Sequence, residues 1–189
     1  MDEGIFDVNK AHKLDNPGRV KDLRPLELLR DVAKVGSGDT CVDFGSGTGM
    51  FALPAAELVD SKGKVYAIDN SEAMRAYLMA KNPPMNLTPV KSDVAQTGLT
   101  SRIADVCLLA FILHEIKEPR VLIAEAFRLL KPNGRLVIVE WKAEFDSPGP
   151  PQRKRLSREQ IDQLLSQAGF RMEKYIDWSQ NHYLALAIK

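Results

Sequence analysis

Apolar positions along the chain fall into short runs parted by polar turns, and their spacing switches between two and about 3.6. Residues 40–44 read as a buried strand, 64–69 as a second and 86–91 as a weaker third. Pro89 cannot donate to a ladder, so the third strand belongs at a sheet edge. Residues 105–111 form a strong central strand and 135–140 another, with helical spacing over 50–59, 71–81 and 120–130 between them. Ser71 or Asn70 suits the N-cap of the 71–81 helix, and Lys131-Pro132-Asn133-Gly134 closes the 120–130 helix. Pro25 opens a further helical stretch over 26–35, stopped by Gly36-Ser37-Gly38-Asp39. Ser157-Arg158-Glu159-Gln160 fits a capping box, starting a helix that ends at Gly169. Residues 172–189 read as two strands around a turn near Ser179-Gln180-Asn181. Residues 1–24 read as polar and irregular, with Asn16-Pro17-Gly18 as a turn signal, and 142–156 as a mobile loop rich in Pro and charge.

Strands alternating with helices predict a parallel α/β sheet covered on both faces, and the closing strand pair predicts an antiparallel hairpin at one edge. A length of 189 residues fits one domain, 1–189, with 1–35 as a cover segment and helix and 36–189 as the core. Apolar residues at 44% and charged residues at 27% are a globular balance. The net charge of +1 supplies no global field toward nucleic acid or an anionic membrane, though it leaves room for a local basic patch. The start Met1-Asp2-Glu3-Gly4 lacks the plan of a secretory signal, and the longest apolar run, 106–113, is too short to span a bilayer. A cytoplasmic location is therefore expected. Cys41 and Cys107 sit inside apolar strands and read as small buried hydrophobes, so no metal site is expected.

The chemistry concentrates in Val42-Asp43-Phe44-Gly45-Ser46-Gly47-Thr48-Gly49, between a strand and a helix. Glycines there let the backbone turn tightly and approach a ligand, and the helix start favours an anionic group. Asp69 ends the next strand, where a carboxylate can accept both ribose hydroxyl protons; capping the next helix is its bland alternative. Nicotinamide dinucleotides prefer G-x-G-x-x-G, whereas Gly45, Gly47 and Gly49 are spaced G-x-G-x-G with Asp43 two positions before the first. Asp43 can receive an ammonium group, directly or through water. The combination points to S-adenosyl-L-methionine.

Here the chain resembles the class I S-adenosylmethionine-dependent methyltransferases, especially the ubiquinone/menaquinone-biosynthesis type, over roughly residues 36–188. Asp43 and Gly45, Ser46, Gly47, Thr48 and Gly49 match the family's first motif. Asp69 matches its ribose acid, Asn70 an adenine neighbour, Asp93 the acid for the adenine amino group, and Val94 a residue beside the ring. The segment from Phe111 to Glu115 matches the one that faces the donor methyl, and Leu130-Lys131-Pro132-Asn133-Gly134-Arg135 resembles the turn before the fifth strand. The resemblance implies a Rossmann-like, seven-stranded, mostly parallel sheet with an antiparallel edge hairpin and helices on both faces. Terminating its strand is the alternative role for Asp93.

Methyl transfer is an in-line displacement, so alignment supplies much of the rate and a base helps only if the acceptor must lose a proton. His114 is the candidate base, against a packing role over the cofactor. Glu115 and Trp141 are candidate acceptor-pocket residues; Glu115 suits a solvated helix start as well, and Trp141 a packing role. Glu140-Trp141-Lys142 ends the fifth strand at the edge where such sheets bind ligands. The loop with Pro148-Gly149-Pro150-Pro151 and Arg153, Lys154 and Arg155 suits a basic lid or a plain solvated loop, and Phe6, His12 and Lys13 suit a cover over the site. With no appended substrate domain, a small-molecule acceptor is expected. Methylation of protein or RNA, and a non-catalytic S-adenosylmethionine-binding module, are the alternatives, and a nicotinamide dehydrogenase fits the glycine spacing poorly. Nucleic acid is not an expected partner, and the oligomeric state is not legible.

Overall fold

The computed structural model describes residues 11–144 and 149–189. Phe6 and Pro148 lie outside the described residues. The strands are β1 (Thr40–Phe44), β2 (Lys64–Asp69), β3 (Leu87–Lys91), β4 (Ala104–Ala110), β5 (Leu130–Trp141), β6 (Arg171–Asp177) and β7 (His182–Ile188). They form one seven-stranded sheet in the order β3-β2-β1-β4-β5-β7-β6. The first five run parallel, and β7 is antiparallel to both β5 and β6. The Pro89 strand, β3, is an edge strand, as its missing N–H requires.

The helices are α1 (Ala11–Leu14), α2 (Pro17–Leu23), α3 (Pro25–Glu27) continued by a π-helical turn (Leu28–Val32), α4 (Ala52–Val59), α5 (Glu72–Ala80), α6 (Pro119–Leu129) and α7 (Arg158–Ala168). Strand alternation divides the core cleanly. Cys41, Val106, Leu108, Val137, Val139, Leu184 and Leu186 face α3, its π turn and α4. Val42, Cys107, Leu109, Leu136, Ile138, Tyr183 and Ala185 face α6 and α7 on the other side. Both faces are buried, so these strands read as nearly continuous apolar runs. Both cysteines are free and buried, and burial pushes their thiols up.

Caps fix the element ends. Ser71 Oγ accepts from the Met74 N–H at 3.3 Å and starts α5. Ser157 and Gln160 form a reciprocal capping box on α7, and Gly169, at φ 91°, ends it. Three expectations need correction. Residues 11–23 are not irregular: they form α1 and α2. Asn16-Pro17-Gly18 is not a turn but a helix start, in which Asn16 accepts from the Gly18 N–H and Pro17 occupies the first helical position. The Lys131-Pro132-Asn133-Gly134 segment lies within the span of β5, at an irregularity where pairing with β4 jumps from Ala104↔Leu130 to Val106↔Arg135.

Strand order reverses between β1 and β4, and a crevice opens at the carboxyl ends of the strands there, as expected for an open α/β sheet.

Candidate active site

The crevice holds about 380 Å³, within the usual range for small-molecule sites. Its described lining includes Asp43, Gly45, Ser46, Gly47 and Thr48 from the end of β1 and the bend beyond it. Asp69 ends β2 and Asn70 follows it, Val94 comes from beyond β3, Phe111, His114 and Glu115 from beyond β4, and Trp141 from β5. Of the fourteen candidate cofactor-binding, base and acceptor-pocket residues, all but Gly49 and Asp93 line one cavity. Gly49 is not in the lining: it turns the chain at φ 85°, where a Cβ would lie 2.4 Å from Leu78 Cδ1. Asp93 also stands outside it, exposed, with Oδ1 accepting from the Ala95 N–H at 2.8 Å.

The bend is held from below. Asp69 Oδ2 accepts from the Gly47 N–H at 2.9 Å, and Asp69 Oδ1 accepts from the Ser71 N–H at 2.8 Å. One carboxylate therefore ties the glycine bend to the start of α5, and each oxygen keeps a lone pair for a ligand hydroxyl. Gly45 has φ 68°, and a Cβ there would meet Ile112 Cδ1 at 2.4 Å. A side chain at this positive φ would be strained, and the tip of Ile112 would have to move to admit it.

Asp43 is 4% exposed and its Oδ2 has no hydrogen-bond partner among the described residues. Burial, with the Asp69 charge nearby, pushes its carboxyl up to about 8, against one backbone N–H from Ala52 that favours the charged form. An orphaned carboxylate oxygen in an open crevice is a receptor for a positive group.

The opposite wall carries a second constellation. His114 Nδ1 lies 2.8 Å from Glu140 Oε2 and 3.1 Å from Oε1, and Glu140 is fully buried. Glu140 also accepts from the backbone N–H of Trp141 at 3.2 Å and of His114 at 3.4 Å. A carboxylate accepts at this contact, which favours the ring form carrying a proton on Nδ1; in a neutral imidazole that leaves Nε2 as the acceptor. Nε2 stands 3.8 Å from Glu115 Oε1, and burial pushes the Glu115 carboxyl up.

Phe111 takes φ 58°, rare for so bulky a residue, and its N–H is held by the Val139 carbonyl at 2.9 Å. This sets its ring 5.9 Å from Trp141 and 5.1 Å from His182, making an aromatic wall.

Several lining or supporting residues had no signal in the sequence. Leu14 and Arg19 come from the segment read as irregular, and Asp15 joins the bend through Thr48 Oγ1 at 2.7 Å. Lys81 Nζ binds Asp15 at 2.6 Å and the Thr48 carbonyl at 2.8 Å, closing a clamp across the bend. Glu140 did have a signal: an acid inside the apolar run that precedes Trp141 must find a partner. Gln152–Lys154 forms a 3-10 turn, and Arg153 and Lys154 are exposed and outside the crevice lining, whereas Arg155 is buried with its charge 5.5 Å from the Trp141 ring. The basic lid therefore does not form around the site as one patch; Pro150 is the part of that loop in the lining.

A sheet reversing at β1 and β4, a glycine bend over the first strand and a carboxylate ending the second define the Rossmann-like class of nucleotide-binding folds. Within that class, the chain belongs to the methyltransferase domain family, whose model matches residues 42–138. A SAM-dependent methyltransferase from Aquifex aeolicus superposes with a TM-score of 0.89 at 31% identity, covering 97% of this chain and 99% of that one. The 2-phytyl-1,4-naphtoquinone methyltransferase of Trichormus variabilis is 26% identical over 132 residues, 68% of this chain and 56% of its own length. The demethylmenaquinone methyltransferase of Protochlamydia amoebophila is 29% identical over 120 residues, 61% and 50% respectively. The chain thus spans about half the length of these curated relatives.

Proposed function

We propose that this chain transfers a methyl group from S-adenosylmethionine to a compact small-molecule acceptor with an aromatic ring. The observation that carries the reading is the unpartnered, buried Asp43 Oδ2 in a crevice whose other wall presents the Asp69 carboxylate. Asp43 would hold the ammonium group, Asp69 the ribose hydroxyls, Asn70 and Val94 the adenine side, and Asp93 the adenine amino group through its remaining acceptor capacity. Bound there, S-adenosylmethionine supplies an electrophilic sulfonium methyl. Phe111 and Trp141 would orient the acceptor ring, and the quinone-type acceptors named in the relatives above support that shape. Residues 1–35 would form the cover over the crevice, and a cytoplasmic site of action suits a chain in which no described helix is long and apolar enough to cross a membrane.

His114 would be the base, taking a proton from the acceptor at Nε2. Glu140 would be a positioning residue, holding the Nδ1 proton and so the tautomer. Calorimetric titration tests the first part: S-adenosylmethionine binds, a nicotinamide dinucleotide does not, and Asp69→Ala weakens binding without unfolding the chain. Labelled methyl transfer into the small-molecule fraction of a cell extract tests the second; label found only in macromolecules refutes the acceptor class. For the base, Glu140→Gln should swap the His114 tautomer, read by nitrogen-15 NMR, and lower kcat about 10²–10⁴-fold with little change in KM. An unchanged tautomer would remove Glu140 from the mechanism.

A further inference from the structure

Arg19 is the one arginine or lysine among the described residues that line the crevice. The other charged groups there, Asp43, Asp69 and Glu115, are acids. The Arg19 guanidinium lies 4.8 Å from the centre of the Phe111 ring and makes no hydrogen bond or ion pair among the described residues. Asp15 attracts it, but both Asp15 oxygens are already engaged, by Thr48 at 2.7 Å and Lys81 at 2.6 Å. Burial is the main influence on Arg19 and works against its charge, yet a guanidinium does not lose its proton in a protein. A half-buried cation with donors to spare, facing a cavity, is a site waiting for an anion.

Its position is fixed in advance. At the end of α2, Asp22 Oδ2 lies 3.1 Å from His182 Nδ1, Arg24 donates to the Trp178 carbonyl at 2.9 Å, and Trp178 Nε1 donates to the Leu23 carbonyl at 2.6 Å. At its start, Asn16 caps the helix and Asp15 is clamped to the glycine bend. Arg19 therefore projects from a helix anchored at both ends. It stands on the aromatic side of the crevice, where its charge also acts on His182 behind Phe111.

We infer that Arg19 recognises an anionic group on the methyl acceptor, and that the acceptor is an aromatic ring bearing a carboxylate. The ring lies against Phe111 and Trp141, and the planar guanidinium fork meets the carboxylate with paired hydrogen bonds. This rests on the methyl-transfer reading and adds the acceptor's charge to it. The other carboxylate within reach of such a crevice is the one on S-adenosylmethionine itself, and the test separates the two.

The test uses the whole chain and two variants, Arg19→Leu and Arg19→Lys, with folding checked by circular dichroism. Each protein, saturated with S-adenosylhomocysteine, is titrated with 2-naphthoate and with the uncharged 2-naphthamide. The wild type should bind naphthoate about tenfold or more tightly than the amide. Arg19→Leu should bring the two within threefold, and Arg19→Lys should keep part of the preference. Affinity for S-adenosylmethionine should change less than threefold in either variant. Equal binding of naphthoate and naphthamide by the wild type, with S-adenosylmethionine bound normally, overturns the Arg19 assignment alone. Loss of S-adenosylmethionine affinity in Arg19→Leu, with its decarboxylated analogue unaffected, also overturns it and gives Arg19 to the donor. A wild type that binds no S-adenosylmethionine defeats the methyl-transfer reading instead.

Discussion

At the scale of single residues, Asp43 shows how a binding group weakens the fold that holds it. Its ordinary value is 3.8, and burial beside the Asp69 charge raises it to about 8. The folded chain then keeps a proton that the unfolded chain loses, so this residue's contribution to stability is full below pH 3.8 and is lost as pH rises toward about 8. A ligand ammonium needs the ionised form, so the sign for binding is opposite. Affinity for S-adenosylmethionine should rise with pH up to about 8, by at most tenfold per unit, with proton release detectable in buffers of different ionisation enthalpy. Asp43→Asn should lose about a hundredfold in affinity, from one charged hydrogen bond. The same variant should melt no lower than the wild type near pH 8, because it removes the buried charge. A pH-independent affinity would show that Asp43 does not receive the ammonium.

At the scale of elements, caps and bends decide what holds and what binds. Ser157→Ala removes one half of the capping box on α7, outside the crevice lining, and should cost about 1 kcal/mol in denaturant unfolding with ligand affinity unchanged. Gly45→Ala should do the reverse in kind. It forces a side chain to φ 68° and into Ile112, costing about 1–3 kcal/mol, and it narrows the crevice so that ligand affinity falls too. The strands, the α7 cap and the glycine bend were legible in the sequence because local chemistry fixes them: short apolar runs bounded by polar turns, Ser157 with Gln160, and three closely spaced glycines. The helices α1 and α2 were not. They are too short to form on their own, and Asn16-Pro17-Gly18 serves a turn and a helix start equally well. What makes α2 helical is distant: Trp178 and His182, some 155–160 residues away along the chain. Arg19 was hidden for the same reason. Glu140 was visible as an acid ending an apolar strand, but its pairing with His114 joins two strand ends and appears only once the sheet is assembled.

At the scale of the whole molecule, the sheet separates two tasks. The parallel strands end together at the crevice, while β6 and β7 extend the sheet beyond β5 and back the aromatic wall through His182. The order β5-β7-β6 also dictates a timetable. β6 is joined to the rest of the sheet through β7 alone, yet β7 is the later of the two to leave the ribosome. Until residue 188 emerges, β6 has nothing to bond to and β5 presents a bare apolar margin. Chains stalled near residue 180 should be cut rapidly by protease and should recruit chaperones, whereas chains tethered some forty residues beyond 188 should resist digestion. The sheet thus closes from the inside, its keystone strand β7 following the outer strand β6 it must hold.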